Sequence, residues 1–429
     1  MEIRNLHQLY LKSRVVSTDS RNITPRSIFF ALKGDQFNGN RFALEALEKG
    51  AMAAVVDEDP GVHDERIIIV DNVLLALQEL ASFHRKQNGV RVLAITGSNG
   101  KTTTKELCKS ILSAKYKVHA TEGNLNNHIG VPLTLLSMPT DTEIAIIEMG
   151  ANHPGEIAML CRIALPDFGL ITNIGKAHLE GFGGIEGVAE AKGELFQYLV
   201  RHDKTIFLNA GNSYLNSLLT AAYPRVVHYN TPGGLTAENL RCNPLLQLTI
   251  ASGSKKIDIA TNLVGCYNAE NILAACAVGI HLGIPDTDIA QAVKSYQPKN
   301  NRSQLINTGK NKVIMDAYNA NPSSMAAAIN EFLLSGEENK LFVLGEMREV
   351  GEASDKEHRN IIDLLSENGV NRVICVGKAF EKPATDAGYR YAEGIEQLSE
   401  ILRHEQYTDH YILVKGSRSN QLEKIIGLL

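Results

Sequence analysis

The stretch Thr96-Gly-Ser-Asn-Gly-Lys-Thr-Thr-Thr104 has the residue types that hold a chain of phosphates. Gly97 and Gly100 let the loop's backbone N–H groups, those of Ser98, Asn99 and Thr103 among them, turn toward an anion. A helix starting there would add a partial positive charge. Lys101 can reach β- and γ-phosphates, and the Thr102 hydroxyl can hold Mg2+. The motif reads G-x-x-G-K-[ST]; Ile95 stands where the longer phosphate-loop pattern needs a glycine. A glycine-rich turn beside a chance lysine is the bland alternative. Placement weighs against it: the loop follows a continuous apolar run at 92–96 and precedes a helix-forming stretch at 103–113.

Three further residues could bring a metal to the same place. Glu148 ends the apolar run at 144–147, and a carboxylate there is costly unless paired or bound to a cation. His178 lies just after the apolar segment at 171–174. Lys192 is the least expected. Helical spacing over 185–200 puts Val188, Leu195, Phe196 and Leu199 on one apolar stripe, and position 192 falls on it. A lysine there must snorkel, find a partner or be modified. A neutral, desolvated amine could take up CO2 as a carbamate and become an anionic ligand. Oxygen ligands suit Mg2+, and one imidazole is tolerable. The residues alone equally allow Glu148 a structural salt bridge and His178 an ordinary loop position.

Groups so far apart in the chain meet only if an open α/β sheet collects them outside the carboxyl ends of its strands. Apolar runs at 92–96, 143–148, 169–173 and 205–209 alternate with helical stretches and predict a doubly wound central sheet. Segments 245–251 and 256–263, turning at Ser252-Gly-Ser254, predict an antiparallel hairpin, followed by a helix over 268–282. Earlier, short strands at 26–32, 53–56 and 67–70 mix with helices at 42–49 and 73–86. Gln297-Pro-Lys-Asn-Asn-Arg302 reads as a linker, after which strands at 313–315, 341–344, 373–376 and 411–414 restart the rhythm. The expected architecture is α/β with three domains. A small N-terminal α/β domain spans 1–88, a central doubly wound phosphate-loop ATPase domain with a hairpin spans 89–299, and a C-terminal Rossmann-like domain spans 300–429. The last has no G-x-G-x-x-G to mark a dinucleotide binder. Lys415-Gly-Ser-Arg418, after the final strand, reads as an anion site or as a domain-interface salt bridge.

Composition narrows the class. A net charge of -5 over 429 residues offers no basic footprint for nucleic acid. Six cysteines without a C-x-x-C pair argue against zinc ribbons and redox dithiols, and fit a reducing cytosol. No apolar run is long enough to span a bilayer, and residues 1–10 lack a signal-peptide core. A soluble cytoplasmic monomer is expected.

Together these segments resemble the Mur ligase family. The phosphate loop, Glu148-Met-Gly-Ala151, Thr172-Asn-Ile-Gly-Lys-Ala-His178 and Ala191-Lys-Gly-Glu194 occur in the family's order. So do Asn268-Ala-Glu-Asn271, Arg302, Asp316-Ala-Tyr-Asn-Ala-Asn-Pro322, Leu344-Gly-Glu-Met347 and Lys415-Gly-Ser-Arg418. The resemblance implies an ATP-dependent ligase that works through an acyl phosphate, with two Mg2+ ions. It favours a carbamate on Lys192, and metal ligands Thr102, Glu148, His178 and carbamylated Lys192. Lys101, His178, Lys192 and Arg302 would be catalytic. Asn271 and Asp316 would contact the nucleotide, and Arg302 its γ-phosphate. Locally, Asn271 could instead pair within its helix, Arg302 be a solvated linker charge, and Asp316 cap the helix before Pro322.

Within the family, three stretches look like the branch that joins D-alanyl-D-alanine to UDP-N-acetylmuramoyl-tripeptide. Thr18-Asp-Ser-Arg21 points to Ser20 and Arg21 as nucleotide-sugar contacts, with Ala31-Leu-Lys-Gly34 beside them. Thr121-Glu-Gly-Asn-Leu-Asn-Asn-His-Ile-Gly130 points to Asn124, Asn126 and Asn127, and Tyr318-Asn-Ala-Asn-Pro322 to Asn319 and Asn321. Departures are Tyr267 where the family often has His, Asn301 where Gly is usual before the arginine, and Asn38 and Asn40 where Asp and His are common. The rivals are another ligase of the superfamily, such as a folylpolyglutamate synthase, and a regulatory protein that binds ATP without ligating.

Overall fold

The apolar runs become strands buried on both faces, and helices cover them. In the computed structural model, which describes residues 2–219, 222–299 and 301–429, these strands form three α/β units. The first sheet joins Val16–Ser17, Ile28–Phe30, Ala53–Val56 and Ile67–Ile69, all parallel. Several elements escaped the sequence reading, two of them near the chain start and middle. Ile3–Ser13 is a helix whose Leu6, His7 and Tyr10 are buried; the Tyr10 hydroxyl donates to the Leu136 carbonyl at 2.7 Å. Leu235–Cys242 adds a third strand to the predicted hairpin, Leu245–Ser252 with Lys255–Val264.

The central sheet positions the site. Its order is Val226–Tyr229, Thr205–Asn209, Phe168–Ile171, Arg91–Thr96, Ile144–Glu148 and Val118–Ala120, with parallel pairing throughout. Arg91–Thr96 comes first in the chain yet lies inside the sheet. The two strands that follow it lie to one side and the last three to the other, so the phosphate loop leaves the sheet at its topological switch point. Register completes the arrangement: Ile95 pairs with Glu148, and Thr96 pairs with Ile171. The loop is thereby flanked by Glu148 and by Thr172-Asn173.

The third sheet runs Gln304–Asn307, Lys312–Asp316, Tyr411–Lys415, Lys340–Gly345, Val373–Val376 and Arg390–Ala392. Its first pair is antiparallel, an edge strand the sequence reading lacked; the rest are parallel. Asp316 and Lys415 end adjacent strands.

One expectation needs correcting. Cys242 and Cys266 are joined by a disulfide, not left as scattered free thiols. Their 24-residue separation hides the pairing in the sequence. The hairpin sets Leu245 opposite Val264, so the chain just before one strand meets the chain just after the other. Cys108, Cys161, Cys276 and Cys375 are free and buried. Among the described residues, no helix is long and apolar enough to cross a membrane.

Candidate active site

The phosphate loop is held from both sides. Gly97 has φ +140, and a Cβ there would lie 2.0 Å from Thr172 Oγ1; Gly100 has φ +79, and a Cβ would lie 2.2 Å from Asn271 Oδ1. Only glycine has both the left-handed backbone and the space at these points. Asn99 donates its N–H to Asn173 Oδ1 at 3.0 Å, and its carbonyl accepts from Thr172 Oγ1 at 2.6 Å and Asn173 Nδ2 at 3.0 Å. Ser98 Oγ donates to the Gly175 carbonyl at 3.1 Å. The helix Lys101–Leu112 starts directly on Gly100, aiming its free N–H groups into the loop.

Lys101 folds back over this loop, donating Nζ to the carbonyls of Gly97 at 2.6 Å and Ser98 at 3.2 Å. Burial lowers its pKa and Arg302 pushes the same way, opposed by Glu148 and Glu349. Glu148 is 2% exposed. It accepts from the Thr102 hydroxyl and from Asn126 Nδ2, both at 2.9 Å. Neither donor carries charge, so neither neutralises the carboxylate, and a cation in the cleft would find it without an ion-pair partner.

A cleft of about 1110 Å3 opens above these groups. Ser98, Asn99, Gly100, Lys101, Thr102, Thr103, Glu148 and His178 line it from the central domain, with Asn124, Asn126, Asn127 and Asn271. Arg302, Asp316, Asn319 and Asn321 line it from the opposite side. Lys192 lies just behind the wall. It is 1% exposed, donates Nζ to the Ala151 carbonyl at 3.1 Å, and sits 5.0 Å from the centre of the Phe182 ring. The His178 ring makes an edge contact with the same phenyl ring. Burial brings the Lys192 pKa down to about 7; Lys101 adds to the fall, and Glu156 and Glu194 oppose it. Ser20 and Arg21 do not join the cleft. Ser20 is buried, and Arg21 is exposed and paired with Asp19 at 2.8 Å.

The neighbours decide several open alternatives. Asn271 does pair within its helix, donating to Asn268 Oδ1 at 2.9 Å, but its Oδ1 also accepts from Thr104 at 3.2 Å. Arg302 is no solvated linker charge: its guanidinium stacks 3.8 Å above the Tyr318 ring, and its buried Nε has no hydrogen-bond partner. Asp316 caps no helix, since Asn321 caps Pro322–Leu334. Instead Asp316 pairs at 2.6 Å with Lys415. The bridge lies within the third domain, and Lys415 and Arg418 both line the cleft. The unusual residues also find roles. Asn301 has φ +56, a backbone that asparagine tolerates better than most. The Tyr267 hydroxyl meets Ser303 Oγ at 3.0 Å. Asn40 bonds to Asp57 at 2.8 Å and Asn38 to Glu58 at 3.0 Å.

One residue in the cleft went unnoticed in the sequence. Glu349 Oε2 lies 2.6 Å from His178 Nδ1. The carboxylate lies close to this nitrogen but off the direction of an aligned hydrogen bond. His178 draws the Glu349 pKa down, and Lys101 helps. Glu349 stands two residues beyond Leu344-Gly-Glu-Met347, in a turn that no periodicity marks.

Comparison with known proteins agrees with this geometry. Residues 12–85 match the Mur ligase family catalytic domain, 95–279 the Mur ligase middle domain, and 301–418 the Mur ligase glutamate ligase domain. The chain is 36% identical over 432 residues to the UDP-N-acetylmuramoyl-tripeptide–D-alanyl-D-alanine ligase of Bacillus subtilis, covering 96% of this chain and 92% of that one. The Escherichia coli enzyme of the same name is 35% identical, with 96% and 93% covered. A crystal structure of MurF from Acinetobacter baumannii superposes with a TM-score of 0.88 at 29% identity, covering 98% of this chain and 97% of that one. The Thermotoga maritima MurF ligase in complex with ADP gives 0.86 at 26% identity, with 97% of each covered.

Proposed function

The chain belongs to the Mur ligase family, and from that premise we infer that it uses ATP to join D-alanyl-D-alanine to UDP-N-acetylmuramoyl-tripeptide, an ADP-forming ligation in peptidoglycan synthesis. One observation carries the reading at the level of this chain. A phosphate loop with a buried Glu148 beside it faces a half-buried Arg302, stacked on Tyr318, across a single cleft. In this reading residues 1–88 hold the UDP-sugar, 89–299 hold ATP and perform the chemistry, and 300–429 bring the dipeptide. Ser20 and Arg21 would serve the nucleotide-sugar end, away from the reacting atoms. The work is assigned to the cytoplasm and to a monomer.

A carboxylate is a poor electrophile, so the tripeptide carboxylate must first accept the γ-phosphoryl group of ATP. That transfer needs positioning and charge neutralisation more than covalent help. Lys101 would release the Gly97 and Ser98 carbonyls and move to the β- and γ-phosphate oxygens. The N–H groups at the start of Lys101–Leu112 would receive the same phosphates. Arg302, whose Nε is unbonded, would reach the γ-phosphate, and Asn271 and Asp316 would border the nucleotide. Asn124, Asn126 and Asn127 would contact the muramoyl peptide, and Asn319 and Asn321 the third-domain side of the substrates.

The residues present fit Mg2+ where they offer oxygen. Thr102 and Glu148 would hold one ion. Glu148, His178 and Lys192 would border a second. Lys192 as an amine is a poor partner for a hard cation; as a carbamate it offers two anionic oxygens. When bound, the ions would neutralise phosphate charge and polarise the peptide carboxylate. The amine of D-alanyl-D-alanine then attacks the acyl phosphate, and the tetrahedral intermediate collapses to amide and phosphate. Water must be kept from the acyl phosphate until the amine attacks it. Contacts such as Asn321 Nδ2 to Asn99 Oδ1 at 2.8 Å support closure by the third domain. Arg418 supports a subsite for the dipeptide carboxylate.

Phosphate release tests the reading. It should require ATP, UDP-N-acetylmuramoyl-tripeptide and D-alanyl-D-alanine together. Fast release with glutamate and a folate instead would assign the chain to the folylpolyglutamate branch. Nucleotide binding with no release in any combination would make it a regulatory ATP binder.

A further inference from the structure

The segment that carries His178 is gripped by the third domain. Lys176 donates its N–H to Ser323 Oγ at 2.9 Å, and its Nζ pairs with Glu357 at 2.7 Å. Two residues on, Glu349 faces His178 Nδ1 at 2.6 Å. Glu180 then packs under Gly351, which has φ +62 and whose Cβ, were there one, would lie 2.9 Å from Glu180 Cβ. The turn around Glu349 thus presses on one short stretch of the central domain, and the side chain at its tip reaches the imidazole.

An imidazole ligates a metal through one nitrogen only when the other carries the proton, and a carboxylate beside that other nitrogen fixes the choice. We propose that Glu349 is a positioning residue of the third domain that holds the Nδ1 side of His178 and leaves Nε2 as the metal-binding atom, so that the second cation position is complete only when the third domain is docked. This rests on the reading of His178 as a metal ligand given above. It adds a residue the family resemblance did not supply, and it makes domain docking a condition for assembling the metal site. The Glu349 carboxylate would orient the ring and add negative charge beside it, without being the ligand itself.

The test uses the full-length protein with ADP and Mn2+ as the probe, counting bound ions by electron paramagnetic resonance. Glu349→Ala should weaken one of two Mn2+ sites by roughly 10- to 100-fold, the usual effect of losing a residue that orients a metal-bound histidine. Glu349→Gln keeps an oxygen facing the ring and should restore part of the affinity. Gly351→Ala leaves Glu349 in place but forces the turn off Glu180, and should produce the same loss. In a His178→Ala background, Glu349→Ala should add nothing further. Unchanged ADP affinity in each variant shows that the phosphate loop is intact. If His178→Ala leaves Mn2+ binding untouched, the metal reading of His178 falls. If His178→Ala weakens it while Glu349→Ala and Gly351→Ala do not, only the present inference falls. A raised KM for D-alanyl-D-alanine in Glu349→Ala with both Mn2+ sites unaltered would also overturn it and assign Glu349 to the incoming ammonium.

Discussion

Replacing Lys192 probes the chemistry most directly. An ordinary lysine with a pKa near 10.4 is neutral in only about one molecule in a few thousand at pH 7. Lys192, 1% exposed and with its pKa brought down to about 7, is neutral in roughly half. The amine able to attack CO2 is therefore about a thousandfold more abundant than on a surface lysine. Its fraction grows as pH rises through about 7, because the neutral form is the folded state's preference above that point. With 13C-labelled bicarbonate, a carbamate carbon signal should appear in the intact protein and vanish in Lys192→Ala. Ligation by Lys192→Ala should fall at least about 100-fold, the scale of removing one preorganised group that meets transition-state charge. Acetate or formate should recover part of it by supplying the missing carboxylate. Near-normal activity in Lys192→Ala would refute the reasoning. So would a labelled signal that persists without Lys192.

Other perturbations follow from the same geometry. Glu148→Ala should lower phosphate release by orders of magnitude while the fold persists, because the carboxylate's partners, Thr102 and Asn126, are neutral donors that can turn to water; a near-normal rate would make Glu148 structural. Gly97→Ala should abolish ATP binding and lower stability by about 2 kcal/mol or more, since the new methyl group meets Thr172 on a left-handed backbone; calorimetry and nucleotide titration read both. Arg302→Lys should lower kcat strongly with little change in stability, because lysine loses both the stacking on Tyr318 and the planar fork; equal kcat would remove Arg302 from the γ-phosphate. Acid should loosen the N-terminal unit. His84 is buried against His7, Nδ1 to Nε2 at 3.1 Å, and burial holds its pKa at about 4, below the ordinary 6.5. The folded form keeps His84 neutral, so stability is complete above about 6.5 and declines as pH falls toward 4, by up to about 3 kcal/mol. Chemical denaturation at a series of pH values should show that slope, and His84→Phe should flatten it.

What the sequence revealed and what it hid have separate physical causes. Strands such as Ala53–Val56, Thr205–Asn209 and Val373–Val376 were legible to the residue because strands buried on both faces must be continuously apolar. The inward position of Lys192 was legible for the same kind of reason: a helix that buries Val188, Leu195 and Phe196 also buries whatever lies on the same stripe between them. The helix Ile3–Ser13 was not legible. Its buried face holds only Leu6, His7 and Tyr10, too polar a stripe to announce itself. The Cys242–Cys266 bridge depends on hairpin register, which no local spacing encodes. Glu349 was hidden more deeply. A carboxylate in a turn has no periodicity, and its meaning comes from His178, 171 residues away on a different sheet. The imidazole was read from its own strand end, while the carboxylate that faces it becomes visible only once two sheet edges are set opposite each other. Glu148 could be picked out because a carboxylate ending a buried strand is costly without a partner. Residues that make the site conditional on docking sit in the turns of the docking partner, and only the assembled structure identifies them.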